Sequence, residues 1–161
     1  MIIDNDIIIR PAAPADAAAI SSLILAALRR TNAADYPEAV IARLATSFGE
    51  MQIARMVAHR EMFVASHHDL IIGTIGFAGG AVRSLFVAPN FQQQGIGRQL
   101  IEQVEYQARH TGIRSLTVAA SLTATGFYRR CGFSELRPVN DSGIAMVLMH
   151  KWLQDNAADR P

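Results

Sequence analysis

Two short segments hold the residue types best suited to chemistry. The first runs Leu85-Phe86-Val87-Ala88-Pro89-Asn90-Phe91-Gln92-Gln93-Gln94-Gly95-Ile96-Gly97-Arg98. An apolar strand enters a loop patterned Gln92-x-x-Gly95-x-Gly97, and the loop becomes a helix. The first turn of a helix carries unpaired backbone N–H groups and a partial positive charge. Glycine lets a phosphate approach that backbone closely and permits positive φ. The pattern therefore describes an anion site that needs no basic side chain. It is not a P-loop, because no Gly-Lys-Ser/Thr follows, and it lacks the G-x-G-x-x-G dinucleotide fingerprint. Taken alone, the same glycines describe a tight strand–helix turn equally well. The second segment is Ala124-Thr125-Gly126-Phe127-Tyr128-Arg129-Arg130-Cys131-Gly132-Phe133, in which Tyr128 offers a phenol.

Other reactive types are less promising. Cys131 has no histidine partner in sequence, which favours packing over nucleophilic work. His67-His68 project differently from a turn and have no nearby third ligand, so no metal is expected. Met51, Met56 and Met62 read as core.

The elements that must position these segments follow from periodicity. Ile7 to Arg10 reads as a strand ended by Pro11. Ile20, Leu23, Ile24, Ala27 and Leu28 recur at helical spacing, with Pro14 and Asp16 in the first turn and Arg29-Arg30-Thr31-Asn32 at the end. A second helix follows Tyr36-Pro37-Glu38 to about Phe48, and a third spans Glu50 to His59. Met62 to Ser66, Leu70 to Phe77 and Ala81 to Val87 form a strand meander. Leu100, Ile101, Val104 and Ala108 mark the buried face of a helix from about Gly95 to His110. Ser115 to Ala119 is a strand, Ala124 to Cys131 a short helix, and Phe133 to Arg137 with Ile144 to His150 a last strand pair. This order gives a mixed α/β single domain over 1–161, with its core at about 7–153 and a loose tail over 154–161.

Bulk properties bound the partners. The chain has 161 residues, 50% of them hydrophobic, and a formal net charge of +1. Nothing here points to nucleic acid or an anionic membrane. The single Cys131 forbids an intramolecular disulfide. With no signal peptide and no apolar run of spanning length, the expectation is cytoplasmic.

Together the two segments resemble the Gcn5-related N-acetyltransferase (GNAT) superfamily. That family carries Gln or Arg, two residues, Gly, one residue, then Gly or Ala between its fourth strand and long third helix. It also carries F-Y-x-x-x-G-F, here Phe127 to Phe133. The likeness extends from about Ile7 to Leu153, including Arg10-Pro11 after the first strand and Met149-His150-Lys151-Trp152-Leu153 near the end. It implies a mostly antiparallel central sheet, with splayed fourth and fifth strands, flanked by helices.

The resemblance implies acetyl-CoA as cofactor. Backbone amides from Gln92 through Arg98 (Gln92, Gln93, Gln94, Gly95, Ile96, Gly97 and Arg98) would hold its pyrophosphate. Leu85, Phe86 and Val87 would pair with the pantetheine arm, and the Val87 amide would stabilise the tetrahedral oxyanion. Ser121 and Ala124 flank the same arm; Ser121 stands where the family often has Asn, a departure that shortens the reach of the polar group. Tyr128 would hydrogen-bond the leaving sulfur. A thiol pKa of about 8.5 against about 10 for tyrosine makes a hydrogen bond easy, whereas full proton donation needs local help.

The acceptor side is less defined. Tyr36 and Arg83 are candidate substrate contacts, Arg83 standing where relatives often place an acid and suiting an acidic substrate. Glu61, Glu135 and a histidine are the candidate bases. The resemblance implies that the acceptor is a primary amine on a small molecule or peptide, attacked directly in a ternary complex; oligomeric state stays open in the sequence, with a homodimer suggested by analogy with relatives. The competing readings are a non-catalytic acyl-CoA-binding sensor or partner subunit, and a nucleotide-binding module that only mimics the loop.

Overall fold

The computed structural model describes residues 6–154; the expected loose tail lies, from residue 155 on, outside the described residues. The strands are β1 (Ile7–Pro11), β2 (Glu61–His67), β3 (Leu70–Ala78), β4 (Ala81–Val87), β5 (Ser115–Ser121), β6 (Ser134–Asp141) and β7 (Ile144–Trp152). They form one sheet in the order β1-β2-β3-β4-β5-β7-β6. All neighbours are antiparallel except β4 and β5, which run parallel. The helices are α1 (Ala17–Arg30), α2 (Glu38–Thr46), α3 (Glu50–His59), α4 (Ile96–His110) and α5 (Thr125–Arg130). The second helix stops two residues short of the expected Phe48, because Ser47 and Phe48 bond back to Leu44 and Ala45 in a tight turn.

Each face of the sheet has its own core. On one side Ile96, Leu100, Ile101, Val104 and Ala108, the predicted stripe of α4 with one residue added, pack with Ile72, Ile75, Phe77, Leu116 and Met149. On the other, Ile20, Ile24 and Leu28 of α1 pack with Ile53 of α3 and Val64 of β2. The entry into α1 is fixed by polar contacts. Asp16 accepts two bonds from the Arg10 guanidinium, at 2.7 and 2.9 Å, and a third from the Ala13 N–H at 2.7 Å. This explains the use of Arg10 just before Pro11. On the far side, Glu105 of α4 is buried but paired with Lys151 of β7, which also donates to the Cys131 carbonyl at 2.7 Å.

The feature that positions the site is a parting of the sheet. β4 and β5 are in register only at Ala81↔Thr117 and Val82↔Val118. Just beyond, the β3–β4 register slips: Gly76 faces Arg83, but Thr74 faces Phe86. Ser84 and Leu85 therefore share one partner position, and Ser84 takes φ 53°. Such a bulge bends its strand and sharpens the twist, and here it turns β4 away from β5. Among the described residues no helix is long and apolar enough to cross a membrane.

Candidate active site

The parted strands open into a cavity of about 890 Å³. Its lining includes Leu85, Phe86, Val87, Gln92, Gln93, Gly95, Ile96, Gly97, Arg98, Ser121, Ala124 and Tyr128, and also Tyr36 and Arg83. Gln94 is the exception: it is exposed, does not line the cavity, and donates to the Asn90 carbonyl at 3.3 Å.

At one end lies the head of α4. No backbone N–H from Gln92 through Arg98 donates to an acceptor among the described residues; the ladder of α4 begins with Gln99 to Gly95, 3.1 Å. Gln93 and Gly95 both have positive φ, 60° and 83°, which turns successive amides towards one side. This is a concave array of donors suited to an anion. Gly95 is required by its φ, since a side chain there would meet nothing within 4 Å. Gly97 is required by close approach, since a Cβ would lie 3.0 Å from the Phe127 ring. The two glycines thus have different reasons. One shapes the loop, and the other lets the helix carrying Tyr128 dock against it. Gln92 fastens the loop from below, its amide donating to the Val87 carbonyl at 3.1 Å and the Thr31 hydroxyl at 3.0 Å.

The strand edges form the walls. Ala88 N–H bonds the Ile72 carbonyl of β3 at 2.8 Å. Backbone groups alternate direction along a strand, so the Val87 N–H points the other way, into the gap. On the opposite wall Thr117 N–H reaches the Gly80 carbonyl at 2.9 Å, and the same alternation turns the backbone of Ala119 and Ser121 to the gap. Two strand edges therefore face each other without bonding each other, which leaves room for an extended chain to pair between them.

Tyr128 stands in this wall, on α5. It is 4% exposed, with its ring edge-on to Phe127 and Phe133 at 5.2 and 5.4 Å. No hydrogen bond engages its hydroxyl among the described residues. Burial pushes its pKa well above the ordinary tyrosine value, with a smaller push from Cys131, so the phenol stays protonated. Nearby, Thr123 lines the cavity with a buried hydroxyl that has no partner among the described residues. Ser121 is joined by a residue the sequence reading missed: Asn32 donates to its hydroxyl at 3.5 Å. Asn32 comes from the 3-10 turn after α1, far away in sequence, and no local pattern marks it.

On the acceptor side, the Tyr36 hydroxyl is committed. It accepts from the Leu122 N–H at 2.9 Å and donates to the Ala145 carbonyl at 2.7 Å. It therefore ties the end of β5 to the start of β7 and leaves only its ring for a substrate. The candidate bases need correction. Neither Glu61, Glu135 nor any histidine lines the cavity. Glu61 meets Gln107 of α4, and Glu135 pairs with Arg129 on the surface. The side chains of a strand alternate between faces, and these two acids stand away from the cleft. Cys131 is buried, and burial raises its thiol pKa. Among the described residues no group of three His, Cys, Asp or Glu side chains is placed to hold a metal ion.

Comparison with known proteins agrees with this geometry. Residues 32–153 match the family described as the acetyltransferase (GNAT) domain. The chain is 31% identical over 137 residues to an aminoglycoside N(6')-acetyltransferase type 1 of Stenotrophomonas maltophilia, covering 81% of this chain and 88% of that protein. Among solved structures, a GCN5-related N-acetyltransferase from Rhodopseudomonas palustris superposes with a TM-score of 0.86 at 25% identity, over 95% of this chain and 99% of that one. The PaiA N-acetyltransferase of Thermoplasma acidophilum, solved in complex with coenzyme A, shares the fold at a TM-score of 0.78 and 19% identity, over 91% and 98% of the two chains. The chain belongs to the GNAT acetyltransferase family. It is an acyltransferase enzyme.

Proposed function

We propose that this enzyme transfers an acetyl group from acetyl-CoA to a primary amine by direct attack, with both substrates in the cleft together. The observation that carries the reading is the unpaired run of N–H groups from Gln92 to Arg98, opening onto the gap between β4 and β5. These largely exposed donors are left to water in the free protein and stand ready for an anion, and a diphosphate fits both the positive end of α4 and the glycine-shaped loop. The Val87 backbone, with Leu85 and Phe86, suits the amide-bearing arm, and Ser121, Asn32, Thr123 and Ala124 border it from the other wall.

Bound there, acetyl-CoA supplies an activated carbonyl and a thiolate leaving group. The chain supplies the rest. The Val87 N–H, fixed by the β3 ladder, is aimed into the gap and suits negative charge developing on the carbonyl oxygen. The Tyr128 hydroxyl, neutral and without a partner among the described residues, suits hydrogen-bond donation to the departing sulfur. Among the described residues no carboxylate or imidazole borders the cavity, so water is the acceptor of the attacking amine's proton in this reading.

Calorimetric titration with acetyl-CoA, followed by acceptor-dependent release of free thiol, tests the reading. Binding heat and thiol release that requires an amine are expected. Absence of any heat with acetyl-CoA would overturn it.

A further inference from the structure

The acceptor end of the cavity has a sign. Among the described residues, the charged side chains that line the cavity are Arg83, Arg98 and Arg130, all cations. Arg98 donates to the Arg130 carbonyl at 2.9 Å, which holds it at the α4 and α5 end. Arg83 lies elsewhere. It starts the bulge of β4, opposite Gly76, on the face covered by α1 and α3.

Arg83 has no acidic partner among the described residues. Its neighbour there is another cation. Arg60, at the end of α3, is partly buried beside Gly76 and also lacks an acidic partner. Burial, and then the Arg83 charge, push the Arg60 guanidinium below its ordinary value. Arg60 does not line the cavity, so the cation that this end presents to a ligand is the exposed Arg83, which has no carboxylate to neutralise it among the described residues and suits an anion. The lining also takes in apolar side chains of one core cluster: Leu28, Leu44, Phe48, Phe86, Ile144 and Met146. Phe48 and Phe86 meet edge to face at 5.4 Å.

Resting on the acetyl-transfer reading above, we infer that the acceptor is a small amine with a carboxylate and an apolar body, an amino-acid-like molecule. Its carboxylate is held by Arg83, and its apolar part packs on Phe48 and Phe86. The cavity disfavours polycationic amines, because it offers them no carboxylate and opposes them with arginines. The chain resembles an aminoglycoside N(6')-acetyltransferase, but the charge of its own cavity argues for a different acceptor here.

The test uses the whole enzyme with acetyl-CoA and reads free-thiol release. L-phenylalanine and L-leucine are compared with phenethylamine and isopentylamine, the same molecules without the carboxylate, and with spermidine. A charge-assisted hydrogen bond predicts kcat/KM higher for each amino acid by about 10- to 100-fold, with spermidine slowest. Arg83→Gln should bring the amino acid to amine ratio towards one. Arg83→Lys should restore part of it, since the charge is kept and the planar fork lost. The inference is overturned if spermidine is preferred, if Arg83→Gln leaves the ratio where it was, or if acetyl-CoA binds and none of these amines is turned over. Failure of acetyl-CoA itself to bind would instead remove the donor reading beneath it.

Discussion

Replacement of Tyr128 by phenylalanine separates catalytic from structural use of one hydroxyl. The side chain is 4% exposed, and its hydroxyl has no hydrogen-bond partner among the described residues. Removal therefore breaks no bond in the folded protein. The oxygen is open to the cleft, where water can reach it, so its removal should change stability by less than about 1 kcal/mol. For a chain of this length that is less than roughly 2–4 °C in Tm. Catalysis should change far more. A hydrogen bond to a developing thiolate is worth about 1.5–3 kcal/mol, so kcat should fall by roughly 10- to 150-fold. The affinity for acetyl-CoA, measured by calorimetry, should change little. The pH dependence adds a control. Burial raises the Tyr128 pKa, so its contribution to stability is complete below the unfolded value of about 10 and is lost as pH rises above it. The phenylalanine variant should lack this alkaline loss. An unchanged kcat would refute the assignment of Tyr128 to the leaving sulfur. A drop in stability of more than about 1 kcal/mol would refute the claim that its hydroxyl is unpaired.

Further outcomes follow from other parts of the structure. Gly95→Ala forces a side chain onto φ 83° with no clash nearby; it should cost about 1–2 kcal/mol of backbone strain and weaken acetyl-CoA binding in calorimetry. Cys131 is buried with its thiol pKa raised, so a thiol reagent should react with it only on unfolding and the free-thiol assay should show no background from it. Asp16 has a pKa lowered mainly by its bond to Arg10; its contribution to stability is present above the unfolded value of about 3.9 and is lost as pH falls below it. Acid titration of Tm should show a shallower decline in Asp16→Asn than in the parent.

The donor end of the cleft was legible because its determinants are local. A glycine pattern, a strand before it and a helix after it lie within a dozen or so residues, and backbone geometry does the rest. The stripe Leu100, Ile101, Val104 and Ala108 likewise announces both the helix and its buried face. The acceptor end was not legible in this way. Tyr36 bonds residues at sequence separations of 86 and 109, and Asn32 meets Ser121 across 89. Such contacts are set by how α1 and its following turn fold over the sheet. The base candidates failed for a related reason. Glu61 and Glu135 are near the right strands in sequence, but which face a strand residue occupies depends on register, and bulges alter register. Arg83 was visible as an anomaly of type; Arg60 beside it was not.

The two-residue seam between β4 and β5 has a mechanical consequence. The sheet is in effect two plates, β1 to β4 and β5 to β6, sharing a hinge at Ala81–Val82 and Thr117–Val118. Each plate has its own ladder, so each can breathe without breaking the other. A chain that hydrogen-bonds both inner edges would splice the plates into one cooperative unit, and donor occupancy should then slow amide exchange in residues distant from any contact, across both halves of the fold.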